Sequence, residues 1–152
     1  MKKLVVLAIG LVSMAIQAQI LDPVKVQVSS KKISNGEYQI HIVANIDKGW
    51  HIYSQYSEQD EGIGPLPTAI TFKQNDDVVL QGKPKEVGDL QEHFDDIFMV
   101  NVRYYYSTVD FVQTVKTKTD QPVTLEGTIT YMACKEELCL TPQDVEFKVT
   151  LN

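Results

Sequence analysis

Basic residues, cysteine and histidine are all scarce in this sequence. The 152 residues include 14 Lys and Arg against 20 Asp and Glu, which gives a formal net charge of −6. An acidic chain lacks the electrostatic footprint that binds nucleic acid or an anionic membrane surface, so we expect neither as a partner. The chain has only three histidines and two cysteines, and the cysteines lack the second pair of ligands that a zinc site needs. We therefore expect no metal and no cofactor.

Long apolar runs are also missing, apart from one short run at the N-terminus. Lys2 and Lys3 precede an uncharged apolar segment, residues 4–16, and small residues follow up to Ala18. The run has about 13 residues, whereas a membrane-spanning helix needs ~20. Its layout is that of a secretory signal peptide rather than of a retained anchor. We expect cleavage after Ala18, which leaves one soluble domain, residues 19–152, in a compartment where disulfides persist.

The rest of the chain has the residue pattern of β-strands. Apolar and polar residues alternate from Val24 to Val28 and from Tyr38 to Ile46, and a period of two is typical of half-buried strands. The turn sequence Ser34-Asn35-Gly36 joins the two segments as in an antiparallel hairpin. Further segments rich in β-branched and aromatic residues are predicted strands: 50–53, 69–72, 78–80, 99–106, 109–115, 123–132 and 145–151.

No segment places apolar residues at helical spacing over three turns. Residues 62–67, 82–84 and 120–122 contain the proline, glycine and polar residues that interrupt strands, and we interpret them as loops. Seven to nine short strands separated by such breaks indicate an all-β fold, an immunoglobulin-like antiparallel β-sandwich. A fold of this class does not by itself indicate a function.

The two cysteines lie near the C-terminus, separated by four residues. Residues 128–134 are predicted to run up one strand, the loop 135–138 follows, and Cys139 begins the returning strand. This spacing would place Cys134 directly opposite Cys139, where the Cα atoms of antiparallel neighbours are ~4.5–5.5 Å apart. A disulfide accepts Cα distances of ~4.4–6.8 Å. The hairpin can therefore be bridged without movement of the backbone.

Such a bridge would add little stability. Closing a ring of about six residues is worth ~2 kcal/mol by the chain-entropy estimate, against ~4–5 kcal/mol for a ring of about 100 residues. A hairpin tip is accessible to other proteins, and accessible disulfides are the ones that exchange. Glu136 and Glu137 stand beside both sulfurs, and negative neighbours disfavour a thiolate. We expect a thiol pair that reacts only when a partner has docked.

Two other functions fit the same residues. The pair could be a structural disulfide in a non-enzymatic immunoglobulin-like binding module, with a reduction potential below about −300 mV. It could also carry a soft metal ion together with Met132. A higher reduction potential would distinguish an exchanging disulfide from a structural one, and titration of the reduced protein with metal would reveal a carrier.

Three segments of the chain match one known family in their order and spacing. The first is residues 130–134 (Thr-Tyr-Met-Ala-Cys), with Cys139 and Pro142 after it. The second is residues 48–54 (Lys-Gly-Trp-His-Ile-Tyr-Ser), and the third is the acidic, aromatic segment 91–96, followed by Arg-Tyr-Tyr at 103–105. Together they resemble the N-terminal periplasmic domain of the bacterial thiol:disulfide interchange protein DsbD.

This resemblance implies an activity and a set of site residues. Domains of that family have an immunoglobulin-like fold, receive electrons from a thioredoxin-like domain and pass them to other thioredoxin-like proteins in the periplasm, through a cysteine pair and without a cofactor. By resemblance, Cys139 forms the mixed disulfide with the partner and Cys134 resolves it. Phe94 best matches the phenylalanine of a cap loop that covers the pair. His51 and Tyr53 match the ring positions beside it.

The chain also differs from the family pattern. The gap between the cysteines is one residue shorter than in the best-known members, and Thr141 stands where a proline is common. Extra residues before Tyr105 make Phe98 an alternative to Phe94 as the cap, and we expect the neighbouring His93 to be a solvated loop histidine. Because the sequence ends at Asn152 without a membrane or thioredoxin domain, we expect a separate membrane protein of DsbD type as the electron donor.

Overall fold

The computed structural model describes residues 21–59, 64–96 and 99–152, and the regular elements within them are β-strands. The expected signal peptide, residues 1–18, and the alternative cap residue Phe98 lie outside the described residues. No helix that could cross a membrane occurs in the described part of the chain. That part has ten strands, against the seven to nine expected: β1 Val24–Ser34, β2 Glu37–Ile46, β3 His51–Tyr53, β4 Ala69–Phe72, β5 Val78–Asp95, β6 Val100–Thr117, β7 Val123–Tyr131, β8 Ala133–Lys135, β9 Leu138–Cys139 and β10 Gln143–Leu151.

The strands form two antiparallel sheets that pack against each other. In the larger sheet, β2 and β3 pair one after the other along one edge of β6, and β5 pairs along the other edge. Strand β1 lies outside β2, and β8 followed by β9 lies outside β3. The smaller sheet has the order β10-β7-β4. The immunoglobulin-like antiparallel sandwich predicted from the sequence is confirmed.

The core fills the space between the two sheets. The larger sheet contributes the fully buried side chains of Ile40 and Ile42 on β2 and of Phe111 on β6. The smaller sheet contributes Leu125 and Ile129 of β7 to the same buried cluster. Successive side chains of a strand point to opposite faces, so every second residue of β2 is buried along its whole length. The alternation visible in the sequence therefore places one face of each sheet in the core.

Gly127 lets the smaller sheet pack closely at its centre. The residue lies on the central strand β7, opposite Phe147 of β10 and Phe72 of β4. The two rings meet edge to face, with 5.6 Å between their centroids. A Cβ atom on Gly127 would lie 2.5 Å from Cζ of Phe147 and 2.6 Å from the carbonyl oxygen of Thr71. No side chain fits at this position.

The loop predicted at residues 82–84 and the loop expected around His93 are both wrong. Both segments belong to the 18-residue strand β5. Its pairing with β6 is irregular between Gln81 and Lys85 and again between Gly88 and Leu90. Glycine tolerates the positive φ of +68° found at residue 82, and an edge strand accepts a proline because the missing N–H is not needed for pairing. The turn-forming residues therefore bend the strand rather than end it.

Glu86 of β5 anchors the chain that follows β3. Its carboxylate accepts hydrogen bonds from the Ser54 hydroxyl at 2.6 Å and from the Gln55 backbone N–H at 2.7 Å. The Tyr105 hydroxyl donates a third at 2.8 Å. Burial, followed by this bond to Glu86, raises the pKa of Tyr105 above its usual range. The network ties β5, β6 and the end of β3 together, which fixes the strands that carry the candidate site.

Candidate redox site

Four side chains form one row across four neighbouring strands at the end of the larger sheet. Tyr106 of β6 is the register partner of His51 on β3, His51 is the partner of Cys134 on β8, and Cys134 is the partner of Cys139 on β9. Directly opposite residues of antiparallel strands share a face of the sheet. The row therefore places an aromatic ring, an imidazole and both sulfurs side by side.

Cys134 and Cys139 form a disulfide, as the hairpin spacing predicted. Their Cα atoms are 4.1 Å apart, somewhat closer than the ~4.5–5.5 Å expected for opposite residues of antiparallel strands. Lys135 pairs with Leu138, so the connection is a two-residue turn. Glu136, the first residue of that turn, has a φ of +52°. Residues other than glycine adopt this backbone conformation only at a cost in energy.

The two cysteines differ sharply in their exposure to solvent. Cys134 is fully buried, in a small cluster with Tyr53, Val100 and Val102. Cys139 is exposed, beside Leu138, whose side chain is also exposed. A docking protein can therefore reach Cys139 but not Cys134.

An aromatic cluster lies next to the buried cysteine. The ring of His51 is 5.0 Å from that of Tyr104, 5.2 Å from that of Tyr53 and 5.6 Å from that of Tyr106, measured between centroids. The rings of His93, on β5, and Tyr104 form a T-shaped pair with 5.4 Å between their centroids. Nε2 of His51 is hydrogen-bonded to the Tyr53 hydroxyl at 3.2 Å. These five residues, His51, Tyr53, His93, Tyr104 and Tyr106, are called the aromatic cluster below.

Burial shifts the pKa of three members of the aromatic cluster, and it raises that of Tyr104. Desolvation lowers the pKa of His51, and the neighbouring His93 lowers it further. Desolvation raises the pKa of Tyr53 to about 12, with smaller contributions from the charge of Asp95 and from Tyr104 and Tyr106. At neutral pH the imidazole of His51 is therefore uncharged, and the Tyr53 hydroxyl keeps its proton.

The structure brings four of the five residues named from the sequence together and leaves one apart. Cys134, Cys139, His51 and Tyr53 share one face of the sheet. Phe94 lies on β5, opposite Asn101, and is 49% exposed. Its chain neighbour His93 faces Tyr104, so strand alternation directs Phe94 to the other face.

The sequence did not identify His93, Tyr104 and Tyr106 as neighbours of the cysteines. In the run of three tyrosines at 104–106, Tyr105 faces the core and is 2% exposed. Because β6 pairs with β3, and β3 pairs with β8, the rings of Tyr104 and Tyr106 lie on the side of Cys134 rather than of Cys139. No group of three or more His, Cys, Asp or Glu suited to a metal ion occurs among the described residues.

The fold and the site define an immunoglobulin-like β-sandwich domain with a half-exposed disulfide on its last hairpin. The family described as the N-terminal part of the thiol:disulfide interchange protein DsbD matches residues 17–151. The chain belongs to this family. No curated protein matches it at a significant level.

Solved structures show the same fold. The reduced DsbD N-terminal domain of Neisseria meningitidis matches with a TM-score of 0.52 and 18% identity, over 82% of this chain and 85% of that one. The complex between the DsbD and PilB N-terminal domains of the same organism matches with a TM-score of 0.53 and 18% identity, over 86% and 87%. The N-terminal periplasmic domain of ScsB from Proteus mirabilis matches with a TM-score of 0.51 and 20% identity, over 82% of this chain but 44% of that one.

Proposed function

We propose that this protein is a thiol:disulfide relay that passes reducing equivalents to or from thioredoxin-like proteins through the Cys134/Cys139 pair. The observation that carries the proposal is the unequal burial of the two cysteines in a DsbD-type domain. Cys139 is exposed and Cys134 is fully buried. A structural disulfide does not need one accessible sulfur, whereas an exchange reaction does.

The unequal burial supports the assignment of roles. In the reducing direction, the Cys139 thiolate attacks a sulfur of the partner's disulfide, and the partner's other sulfur leaves as a thiolate. The Cys134 thiolate then attacks Sγ of Cys139. This second step forms the intramolecular disulfide and releases the partner with both thiols free. The partner gains two electrons and the pair loses two.

Family membership supports the location and the partners. Domains of this family act in the periplasm, and a signal peptide of residues 1–18 would deliver the chain there. Among the solved relatives, a DsbD N-terminal domain forms a complex with another protein domain, which supports a protein rather than a small molecule as the partner. A separate membrane protein of DsbD type would supply the electrons. Mass spectrometry of exported protein should show a chain that begins at or near Gln19.

A gate over the pair would protect it from unsuitable oxidants. The hairpin between β5 and β6 ends beside the buried cysteine, because Val100 and Val102 of this hairpin pack in the cluster of Cys134. We place the cap at this tip, with Phe94 as the first candidate and Phe98 as the alternative. Gating loops belong to the least stable parts of a fold. In this structure Phe94 points away from the pair, so it could cover the sulfurs only after the strand end twists.

Partner trapping tests the relay. In Cys134→Ser the mixed disulfide at Cys139 cannot be resolved, so this variant should accumulate a covalent complex with a thioredoxin-like protein. Cys139→Ser should trap much less, because its remaining sulfur is buried. Equal trapping by the two variants would refute the assigned roles, and trapping by neither would refute the relay.

The reduction potential separates the relay from the structural alternative. A domain that only binds other proteins would keep a structural disulfide with a potential below about −300 mV, whereas an exchanging disulfide should lie above that value. Equilibration with glutathione buffers, followed by quantification of the free thiols, measures the potential directly. A value below the limit would favour the non-enzymatic binding module.

A further inference from the structure

His51 occupies a position in the site that the relay as described does not use. It is the direct register partner of Cys134, on the side opposite to Cys139. Cβ atoms of such partners lie ~4.5–5.5 Å apart on the same face. The imidazole is therefore a neighbour of the sulfur that must become a thiolate during resolution.

The buried cysteine needs such a neighbour. Cys134 is fully buried among Tyr53, Val100 and Val102, and apolar surroundings raise the pKa of a thiol. Resolution of the mixed disulfide nevertheless requires its thiolate. A base within the site would remove the proton without opening the cluster to water.

The groups around His51 suit it to that task. The Tyr53 hydroxyl, also on β3, is hydrogen-bonded to Nε2 of His51 at 3.2 Å. A phenol that keeps its proton can still accept a hydrogen bond from Nε2–H. That arrangement leaves Nδ1 as a proton acceptor. From β6, the rings of Tyr104 and Tyr106 flank the imidazole. Desolvation raises the pKa of Tyr104, so its hydroxyl keeps its proton near pH 7.

Charged neighbours are few on this face. Two neighbours lie on β5: His93 lowers the pKa of His51, and the charge of Asp95 raises the pKa of Tyr53. From β8, the strand that carries Cys134, the Lys135 side chain reaches Gly49, where a Cβ atom would lie 3.4 Å from its Cε and 3.8 Å from its charged Nζ. The imidazole is thus neutral in the resting site, and the phenol of Tyr53 can stabilise the imidazolium formed during the reaction.

We propose that His51 is the base that deprotonates Cys134 in the resolving step. This inference rests on the proposed relay. The Cys134 thiol transfers its proton to the imidazole, and the resulting thiolate attacks Sγ of Cys139 in the mixed disulfide. The Cys134–Cys139 bond forms, the bond from Cys139 to the partner breaks, and the departing partner thiolate takes a proton from the imidazolium. His51 ends the step neutral, and no further oxidant is consumed.

The resolving step can be measured with an aromatic disulfide, dithiobis(nitrobenzoate), whose thiolate product is coloured. The reduced protein should release one equivalent as Cys139 reacts and a second as Cys134 displaces it. Stopped-flow absorbance between about pH 5 and pH 10 gives the rate of the second phase. In the wild type this rate should rise through the pKa of His51 and be nearly flat from about pH 7 to pH 8. A steady tenfold rise per pH unit over that range would overturn the proposal.

Two variants without a titratable group sharpen the test. In His51→Phe and His51→Gln the second phase should be at least about tenfold slower near pH 7, and it should approach the wild-type rate near pH 10, where hydroxide ionises the thiol unaided. His41→Gln, outside the site, should keep the wild-type profile. A uniform slowing at every pH would indicate packing alone and refute the role as a base. A wild-type protein that never releases the second equivalent would instead refute the relay, whatever the pH profile.

Discussion

The Tyr105 hydroxyl donates a 2.8 Å hydrogen bond to the carboxylate of Glu86. This bond joins the strand that carries the candidate cap to the strand that carries Tyr104 and Tyr106. Ser54 and Gln55 donate to the same carboxylate, so one side chain holds three parts of the chain around the redox site.

Replacing Glu86 should therefore destabilise the domain. Glu86→Ala leaves the donors of Tyr105, Ser54 and Gln55 without their acceptor, which should cost ~2–3 kcal/mol in the free energy of unfolding. Tyr105→Phe removes one donor only and should cost about 1 kcal/mol. Urea unfolding measures both. Glu92→Ala, which breaks an exposed ion pair with Arg103, is the matched control and should change the midpoint far less. Equal midpoints for Glu86→Ala and Glu92→Ala would contradict this view of the network.

Reduction of the disulfide should leave the domain folded. The ring closed by Cys134 and Cys139 is small, so its loss should cost no more than ~2 kcal/mol. Thermal unfolding of the oxidised and reduced protein, and of the double variant Cys134→Ala/Cys139→Ala, measures the difference. A double variant that does not fold would favour the structural role of the pair.

The two candidate cap residues can be separated by their effect on thiol oxidation. Phe94 is the first candidate although it points away from the sulfurs in this structure, so Phe94→Ala should accelerate oxidation by a small disulfide several-fold. If Phe98 is the cap, Phe98→Ala should accelerate oxidation several-fold. Acceleration in Phe94→Ala alone would assign the cap to Phe94 and show that the strand end twists. Folded variants that both react at the wild-type rate would refute a phenylalanine cap at this hairpin.

Gly127 should tolerate no side chain. In Gly127→Ala the new Cβ would clash with the ring of Phe147 and with a backbone oxygen of β4, and overpacking of this kind costs ~1–3 kcal/mol. Chemical denaturation gives the value. Gly82→Ala is the contrasting variant, because a Cβ there would meet no atom within 4 Å and only the positive φ opposes it. A larger loss in Gly82→Ala than in Gly127→Ala would contradict the packing argument.

Local patterns in the sequence were sufficient to predict the sandwich and the cysteine hairpin. Alternation along β2 specifies which residues are buried, and a gap of four residues places Cys134 opposite Cys139. The course of β5 could not be predicted, because Gly82 and Pro84 have the same local preferences in a bulge as in a loop. The aromatic cluster also escaped prediction. His51 and Tyr106 are more than fifty residues apart, and only the long-range pairing of β3 with β6 makes them neighbours.

The bent course of β5 also bears on how the protein avoids aggregation. Among the described strands β5 pairs with β6 alone, so its outer edge could template a strand of another molecule along 18 residues. The two irregularities divide its pairing into short stretches, and the longest after the first bulge is the six residues from Leu90 to Asp95. Lys83, Pro84 and Lys85 lie within or beside the first bulge, where charge, a missing N–H and distortion each discourage edge-to-edge association. The residues that resemble a loop in the sequence thus act as a safeguard against polymerisation.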